Sequence, residues 1–389
     1  MWFASLSRLT SRVRQAEPSP GSVIAEPLDV PAPERPLPQS GPRIDFIALL
    51  RGSAVLFVIY AHFVGDWLDE NKLVWPPLET VRAFVTQPLA IIQDFGFFGV
   101  MVFFLVSGFI ITHVGQRESR LTFLIRRLLR IYPPLIVSIV VIALIAFARH
   151  APMLSFQQYL IGMTLVNYVM VPSIAVNGVA WSLVIEMIFY FACAAILPLV
   201  QKAPAIASVV LLTFSAACIF ASHSFGASFF LFAVSASYLP FLILGQLVYF
   251  RWNGRMPFAV FAALTALAYV VAILGIRIIN TRFLDTGNSY GVSIIYAYLI
   301  FVLAAALCNH IRLPRFLSWT ATISYSLYLF HGVIGLVLID ILAPVCGYSL
   351  ALAVALAVVF GASELSYRFV ELPSQRIARR LTGGGTRAN

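Results

Sequence analysis

The sequence predicts an all-α, polytopic membrane protein with about ten transmembrane helices, and three observations carry the prediction. Of its residues 60% are hydrophobic and only 11% are charged, which leaves too little polar surface for a water-soluble chain of this length. Apolar runs long enough to cross a bilayer recur from residue 46 to residue 370. Within lipid the backbone must satisfy its own hydrogen bonds, which a helix does. The third observation is the sorting of the basic residues. Spans are expected at 46–65, 96–115, 132–149, 180–200, 205–222, 230–250, 257–276, 290–308, 321–340 and 348–370. With the N-terminus in the cytoplasm, the inside segments hold twenty Lys and Arg and the outside loops four, Lys72, Arg82, Arg277 and Arg282. Such an asymmetry is expected to place both termini in the cytoplasm, and the expected location is the cytoplasmic (inner) membrane, as a multi-pass protein. The net charge of +10 sits mostly in these short segments and in the tails, as orientation by a bilayer requires, so nucleic acid is not an expected partner.

Three regions follow: a cytoplasmic basic and Pro-rich tail at 1–43, a membrane domain at 44–372 and a short basic tail at 373–389. Trp2, Phe3, Leu6, Leu9 and Val13 recur at roughly helical spacing beside Arg8, Arg12 and Arg14, which suits a helix on the inner leaflet or a disordered basic tail. Residues 17–42 contain eight prolines and read as an extended linker. No apolar core precedes them, so no signal peptide is expected.

The first span, RIDFIALLRGSAVLFVIYAHF from residue 43, is the most telling. It carries Arg51 near one end and His62 near the other, and ionisable groups at membrane depth mark function more often than lipid contact. Eleven positions separate them, about 16 Å of rise, and eleven steps of about 100° return to nearly the same face. One helix face thus presents a permanent cation and, further along, a titratable base. In the second span Gly96, Gly99 and Gly108 allow close helix approach and Ser107 offers a hydroxyl. RESRLTFLIRRLLRIYPP follows, with Arg127 and Arg130 three apart and Pro133 and Pro134 closing the segment. Two guanidinium groups at this spacing form a fork suited to phosphates, although ordinary positive-inside charge gives the same run.

The fourth span opens VAWSLVIEMIFYF, which puts Glu186 at about the depth of His62. A carboxylate there needs a partner, and accepting from His62 would fix that imidazole's tautomer; a helix-to-helix hydrogen bond without a catalytic part remains open. Cys193, Cys218, Cys308 and Cys346 form no spaced pair and read as packing residues, with no metal motif. The ninth span, ISYSLYLFHGVIG, adds Ser324, Tyr325, Ser326, Tyr328 and His331, the last read as a structural hydrogen-bonder. Glu364 and the sequence VELPSQR close the last span, with the helix expected to end at Glu371 before Pro373. Trp67, Trp75, Tyr168 and Trp181 in the outer loops suit an aromatic belt or stacking on sugars. Asp66, Asp69, Glu70 and Glu79 suit water or sugar hydroxyls.

RIDFIALLRGSAVLFVIYAHF, FGVMVFFLVSGFIIT, RRLLRIYP, WSLVIEMIFY and ISYSLYLFH, in this order and continued by ELPSQR, resemble the acyltransferase-3 family of integral membrane acyltransferases. The resemblance implies transfer of an acyl group, usually acetyl, from acyl-CoA to a hydroxyl, with a carbohydrate of surface polysaccharide, lipopolysaccharide or glycoconjugate as the usual acceptor. It implies that His62 is the essential histidine, that Arg51 is the arginine of the same span, and that Arg127 and Arg130 are the cytoplasmic pair. Glu186 corresponds to the glutamate of the Trp-Ser-Leu motif. His62 and Glu186 are accordingly expected to be catalytic, and Arg51, Arg127 and Arg130 to bind the donor, with no metal. The segment from Glu371 to Asn389 is too short for the esterase-like domain some members carry, so a stand-alone member is expected. A transporter or flippase of a lipid-linked sugar would also line a path with Arg, His and Glu, and is the rival reading.

Overall fold

The computed structural model describes residues 42–279, 289–310 and 312–383, and among these every regular element is a helix. The expectations for residues 1–41 lie outside the described residues. Seven helices are long and apolar enough to cross a membrane: Asp45–Glu70, Gln93–Gly115, Arg120–Ala148, Ala227–Trp252, Phe258–Ile279, Arg315–Cys346 and Tyr348–Leu381. Trp181–Ala195, Pro204–Phe220 and Tyr290–Ala306 are apolar but shorter. Each expected span falls on one of these helices.

Eight helices position the site. They are α1 (Pro42–Tyr60), α2 (Gly96–Gly115), α3 (Arg120–Ala148), α4 (Trp181–Ala195), α5 (Leu239–Trp252), α6 (Arg315–Phe330), α7 (Tyr348–Ser366) and α8 (Leu372–Leu381). At the centre α1 packs against α2 and α6, and α2 crosses α5. Glycine decides how close these crossings come. A Cβ added at Gly108 would lie 1.8 Å from the Leu242 carbonyl oxygen, and one at Gly245 would lie 2.0 Å from that of Leu105. The α2–α5 crossing is therefore backbone against backbone from both sides, a close approach that suits association in lipid, where apolar burial gives little drive. Gly96 and Gly99 are also closely placed, though less so, facing Ala61 Cβ at 2.9 Å and the Ala54 carbonyl at 2.9 Å. Close approach is what their sequence pattern predicts.

Two boundaries differ from expectation. Pro133 and Pro134 do not close a segment: α3 runs through them for 29 residues. A helical proline frees the carbonyl four residues back, here those of Leu129 and Arg130. The Tyr325 hydroxyl of α6 donates to the neighbouring Ile131 carbonyl at 2.7 Å, which ties α6 to α3 beside the prolines. The arginines that precede the prolines thus belong to the same rigid helix as the third span. Nor does the last helix end at Glu371. It widens into a π-helical turn over Tyr367–Glu371 and continues as α8, with Pro373 just beyond the turn. The amphipathic α8 turns Ser374 and Ala378 inward and packs on α3.

Further π-helical turns occur at Ala61–Asp66, Arg82–Thr86 and His331–Gly335. A π-turn is rare, strains the helix and recurs at functional sites. Here these turns contain His62, Arg82, His331 and Glu371.

The α2–α5 crossing generates a stability test. Gly108→Ala should lower stability by about 3 kcal/mol or more, because the obstacle is backbone that cannot rotate away. Gly361→Ala, with nothing within 4 Å of the new methyl, should be neutral. Thermal unfolding of the two purified variants checks the contrast; equal melting temperatures would contradict the crossing.

Candidate functional site

Two π-turns face each other across α1 and α6 and bring two histidines together. His62 Nδ1 lies 2.8 Å from His331 Nε2, and His331 Nδ1 lies 2.7 Å from the Tyr328 carbonyl oxygen. His331 is wholly buried. His62 opens on a cavity of about 510 Å³, lined also by Asp66, Gln93, Val100, Trp181 and Tyr328. Its Nε2 is 3.9 Å from Asp66 Oδ2, one helical turn on.

Below the histidines lies a narrow chamber of about 60 Å³, which Arg51, Ser107, Arg130, Glu186 and Tyr328 help to line. Arg51 and Arg130 keep partial accessibility, and the space they border is this chamber. Glu186 Oε1 accepts from Ser107 Oγ at 3.1 Å and from the Tyr190 hydroxyl at 2.6 Å. Glu371, 2% exposed, accepts from Ser326 Oγ at 3.0 Å and Gln375 Nε2 at 3.2 Å. Arg51 interacts electrostatically with Arg130, Glu371 and Glu186. Two guanidinium groups and two carboxyl groups thus lie in one interior region, with both carboxyl groups held by hydroxyl or amide donors.

Arg130 also borders a third cavity, of about 790 Å³, between α3 and α8. Arg117, Arg126, Arg127 and Arg379 line it with Arg130, against a single carboxylate, Glu118. Arg126 Nη1 donates to Glu118 Oε1 at 2.9 Å and Arg126 Nε to Thr382 Oγ1 at 3.0 Å. Arg127 is 7% exposed. One of its terminal nitrogens is 3.6 Å from Glu118 Oε2, while its buried Nε has no hydrogen-bond partner. Five arginines against one glutamate leave unneutralised positive charge and spare donors, the chemistry of a phosphate cradle.

The opposite end of the bundle is acidic. Arg82 gathers its carboxylates: it meets Asp94 at 2.5 Å, Asp69 at 2.7 Å and Glu79 at 3.6 Å. Its hydrogen bonds to Asp69 and Asp94 hold the Arg82 guanidinium well above its ordinary pKa. Asp94 in turn packs against Gly65, where a Cβ would lie 2.7 Å from its carboxylate. The salt-bridged loop therefore braces the π-turn that carries His62.

The sequence-predicted residues are distributed along this series of cavities. His62 borders the first, Arg51, Arg130 and Glu186 the second, and Arg127 and Arg130 the third. The expected hydrogen bond from His62 to Glu186 is replaced by one to His331. Residues i and i+4 share a helix face, so Ser182, Glu186 and Tyr190 form one strip on α4. Ser182 is the member that meets Tyr328, at 2.8 Å, and Glu186 lies a turn deeper, with the arginines. Glu118, Tyr190, Gln93 and Arg379 escaped the sequence reading; the spacing of Glu186 and Tyr190 is the one signal that could have found any of them. Trp67, expected in a surface belt, is 6% exposed and donates to Asp340 at 2.8 Å. Among the described residues no cluster of His, Cys, Asp and Glu is placed to hold a metal ion.

A family profile described as "Acyltransferase domain" matches residues 44–364. Relatives provisionally named O-acetyltransferases, from Staphylococcus aureus strains COL, MSSA476 and MRSA252, are each 27% identical over an alignment of 382 residues, covering 84% of this chain and 56% of theirs. The chain thus spans little more than half the length of the curated relatives it matches. No solved structure matches.

Arg82→Ala should destabilise the protein by about 1–3 kcal/mol, chiefly the cost of leaving the largely buried Asp94 carboxylate unpaired, since Asp69 and Glu79 are largely exposed. Adding Asp94→Asn should restore part of the loss. Melting temperatures of the single and double variants measure both effects; a double variant no more stable than the single would contradict the pairing.

Proposed function

The chain belongs to the acyltransferase-3 family, and from that premise we propose that it is an O-acyltransferase. It would move an acyl group, acetyl above all, from acyl-CoA to a hydroxyl of a carbohydrate acceptor. The observation that carries this reading is the end-to-end order of the three cavities. Arg130 borders both the arginine-lined cavity and the narrow chamber, and Val100 and Tyr328 border both the chamber and the His62 cavity.

Arg127 and Arg130, with Arg117, Arg126 and Arg379 around them, fit the phosphates of the donor: guanidinium groups form charge-assisted, bidentate bonds to phosphate. The unsatisfied Nε of Arg127 is a donor that such an oxyanion would satisfy. From there the pantetheine arm passes Arg51 and Arg130 through the chamber towards His62. Entry from the arginine-lined end accords with a cytoplasmic source of coenzyme A thioesters.

The acceptor occupies the His62 cavity from the acidic end. Trp181 offers a face for stacking, and Asp66 and Gln93 offer groups for sugar hydroxyls. As the acceptor oxygen attacks the thioester carbonyl, its proton passes to His62. Collapse of the tetrahedral intermediate expels the thiolate, which takes that proton back, and the products are an ester and free coenzyme A thiol. Glu186, bonded to Ser107 and Tyr190 beside Arg51 and Arg130, balances the cations along the arm's path. The setting is a lipid bilayer, in the cytoplasmic (inner) membrane.

Two predictions test this reading in membranes carrying the protein. His62→Ala should reduce transfer of radiolabel from acetyl-CoA to the glycan fraction on the order of 10²–10⁴-fold; undiminished transfer would remove His62 from the chemistry. Arg127→Ala combined with Arg130→Ala should chiefly raise the KM for acetyl-CoA, and an unchanged KM would deny the pair its phosphate role. A transporter of lipid-linked sugar would leave both variants without effect on acetyl-CoA.

A further inference from the structure

We propose that His331 is a positioning residue that fixes the tautomer of His62, so that His62 meets the acceptor hydroxyl with a bare Nε2. The proposal rests on the reading of His62 as general base. The hydrogen-bond network leaves one assignment. The Tyr328 carbonyl, 2.7 Å from His331 Nδ1, can only accept, so His331 Nδ1 carries a proton. In a neutral imidazole the other nitrogen is then bare, so His331 Nε2 accepts. Its partner at 2.8 Å is His62 Nδ1, which must therefore donate. A second proton on His331 would bury a cation at 0% exposure between a carbonyl and an imidazole. His62 is thus left with its lone pair on Nε2, the nitrogen that faces the cavity and Asp66.

The ring geometry agrees. The two imidazoles are tilted by only 8° with centroids 5.0 Å apart, the separation of coplanar rings bonded end to end. In water a neutral imidazole prefers its proton on Nε2, which is the wrong form for a base that must use that atom. The partner of the other nitrogen sets the tautomer, and His331 is that partner.

The surroundings hold His331 in register. Tyr328, whose carbonyl orients it, is pinned by its own hydroxyl, which donates to the Val179 carbonyl at 2.9 Å and meets Ser182 Oγ at 2.8 Å. On the other side Gly335 admits the Phe63 ring, since a Cβ there would lie 2.0 Å from Phe63 Cζ. Phe63 follows His62 directly, so this contact locks the two π-turns together. When His62 takes the acceptor's proton on Nε2, its Nδ1–H becomes a stronger donor to His331, which steadies the imidazolium. The proton leaves again from Nε2 to the thiolate, and His331 gains and loses nothing.

Full-length protein in nanodiscs, labelled with ¹⁵N-histidine, tests this with His331→Leu and His331→Gln. A glutamine can accept from His62 Nδ1–H and donate to the Tyr328 carbonyl, whereas leucine can do neither. Release of coenzyme A thiol from acetyl-CoA, with membrane glycan extract as acceptor, reads the kinetics. His331→Leu should lower kcat on the order of 10²-fold with the KM for acetyl-CoA unchanged, and His331→Gln should recover most of the loss. The ¹⁵N resonances that His62→Ala removes should be those of an Nδ1-protonated neutral imidazole, and should move to the Nε2-protonated form in His331→Leu. A folded His331→Leu protein with wild-type kcat, or a His62 tautomer unmoved by the substitution, would overturn the proposal, as would a glutamine variant as impaired as the leucine one. If the wild type releases no thiol, the base reading of His62 fails, while the tautomer shift still decides whether His331 sets the state of His62.

Discussion

Charge inside an apolar bundle must be answered by charge or by hydrogen bonds, and this constraint organises the molecule. Arg51, Arg130, Glu186 and Glu371 come from four different helical segments. The donors that Glu186 and Glu371 require tie α2 to α4 through Ser107 and α6 to the last span through Ser326. The glycine crossings supply the complementary condition, bringing α2 backbone-close to both α1 and α5. The chamber forms where these two requirements coincide.

From that chamber the site grows in opposite directions with opposite electrostatics. At the arginine-lined end, α3 and α8 hold five guanidinium groups against one carboxylate, so the cavity attracts a polyanion before any contact is made. At the other end carboxylates predominate and Arg82 ties several of them to one another, beside an aromatic-walled pocket that carries a few polar groups, His62, Asp66 and Gln93. A reaction that draws an anionic donor from one end and a neutral, hydroxyl-rich acceptor from the other suits this asymmetry. The histidine pair stands at the acidic end, beyond the constriction.

Much of this was legible in the sequence, for reasons that also mark where legibility stopped. Arg51, His62 and Glu186 stand out because lipid tolerates ionisable residues only in special settings, and hydropathy exposes them at once. Gly96, Gly99 and Gly108 declared close packing through their spacing. Pairing across helices is a different matter. Position along the sequence puts Glu186 at about the depth of His62, yet Glu186 lies deeper, with the arginines, and the partner of His62 proved to be His331. The π-turns that rotate these residues carry no periodic signature, since each inserts a single residue into an otherwise regular helix. Pro133 and Pro134 misled in the same way: their local preference ends a helix, while α3 runs on through both.

The central claim is that the arginine-lined cavity holds the donor and His62 acts on what the donor delivers, so binding and chemistry reside in separate residues. Equilibrium binding of radiolabelled acetyl-CoA to purified His62→Ala protein, with no acceptor present, tests this most directly. The account predicts a Kd equal to that of the wild type in a protein that no longer transfers the acetyl group. Failure of both proteins to bind acetyl-CoA would contradict it.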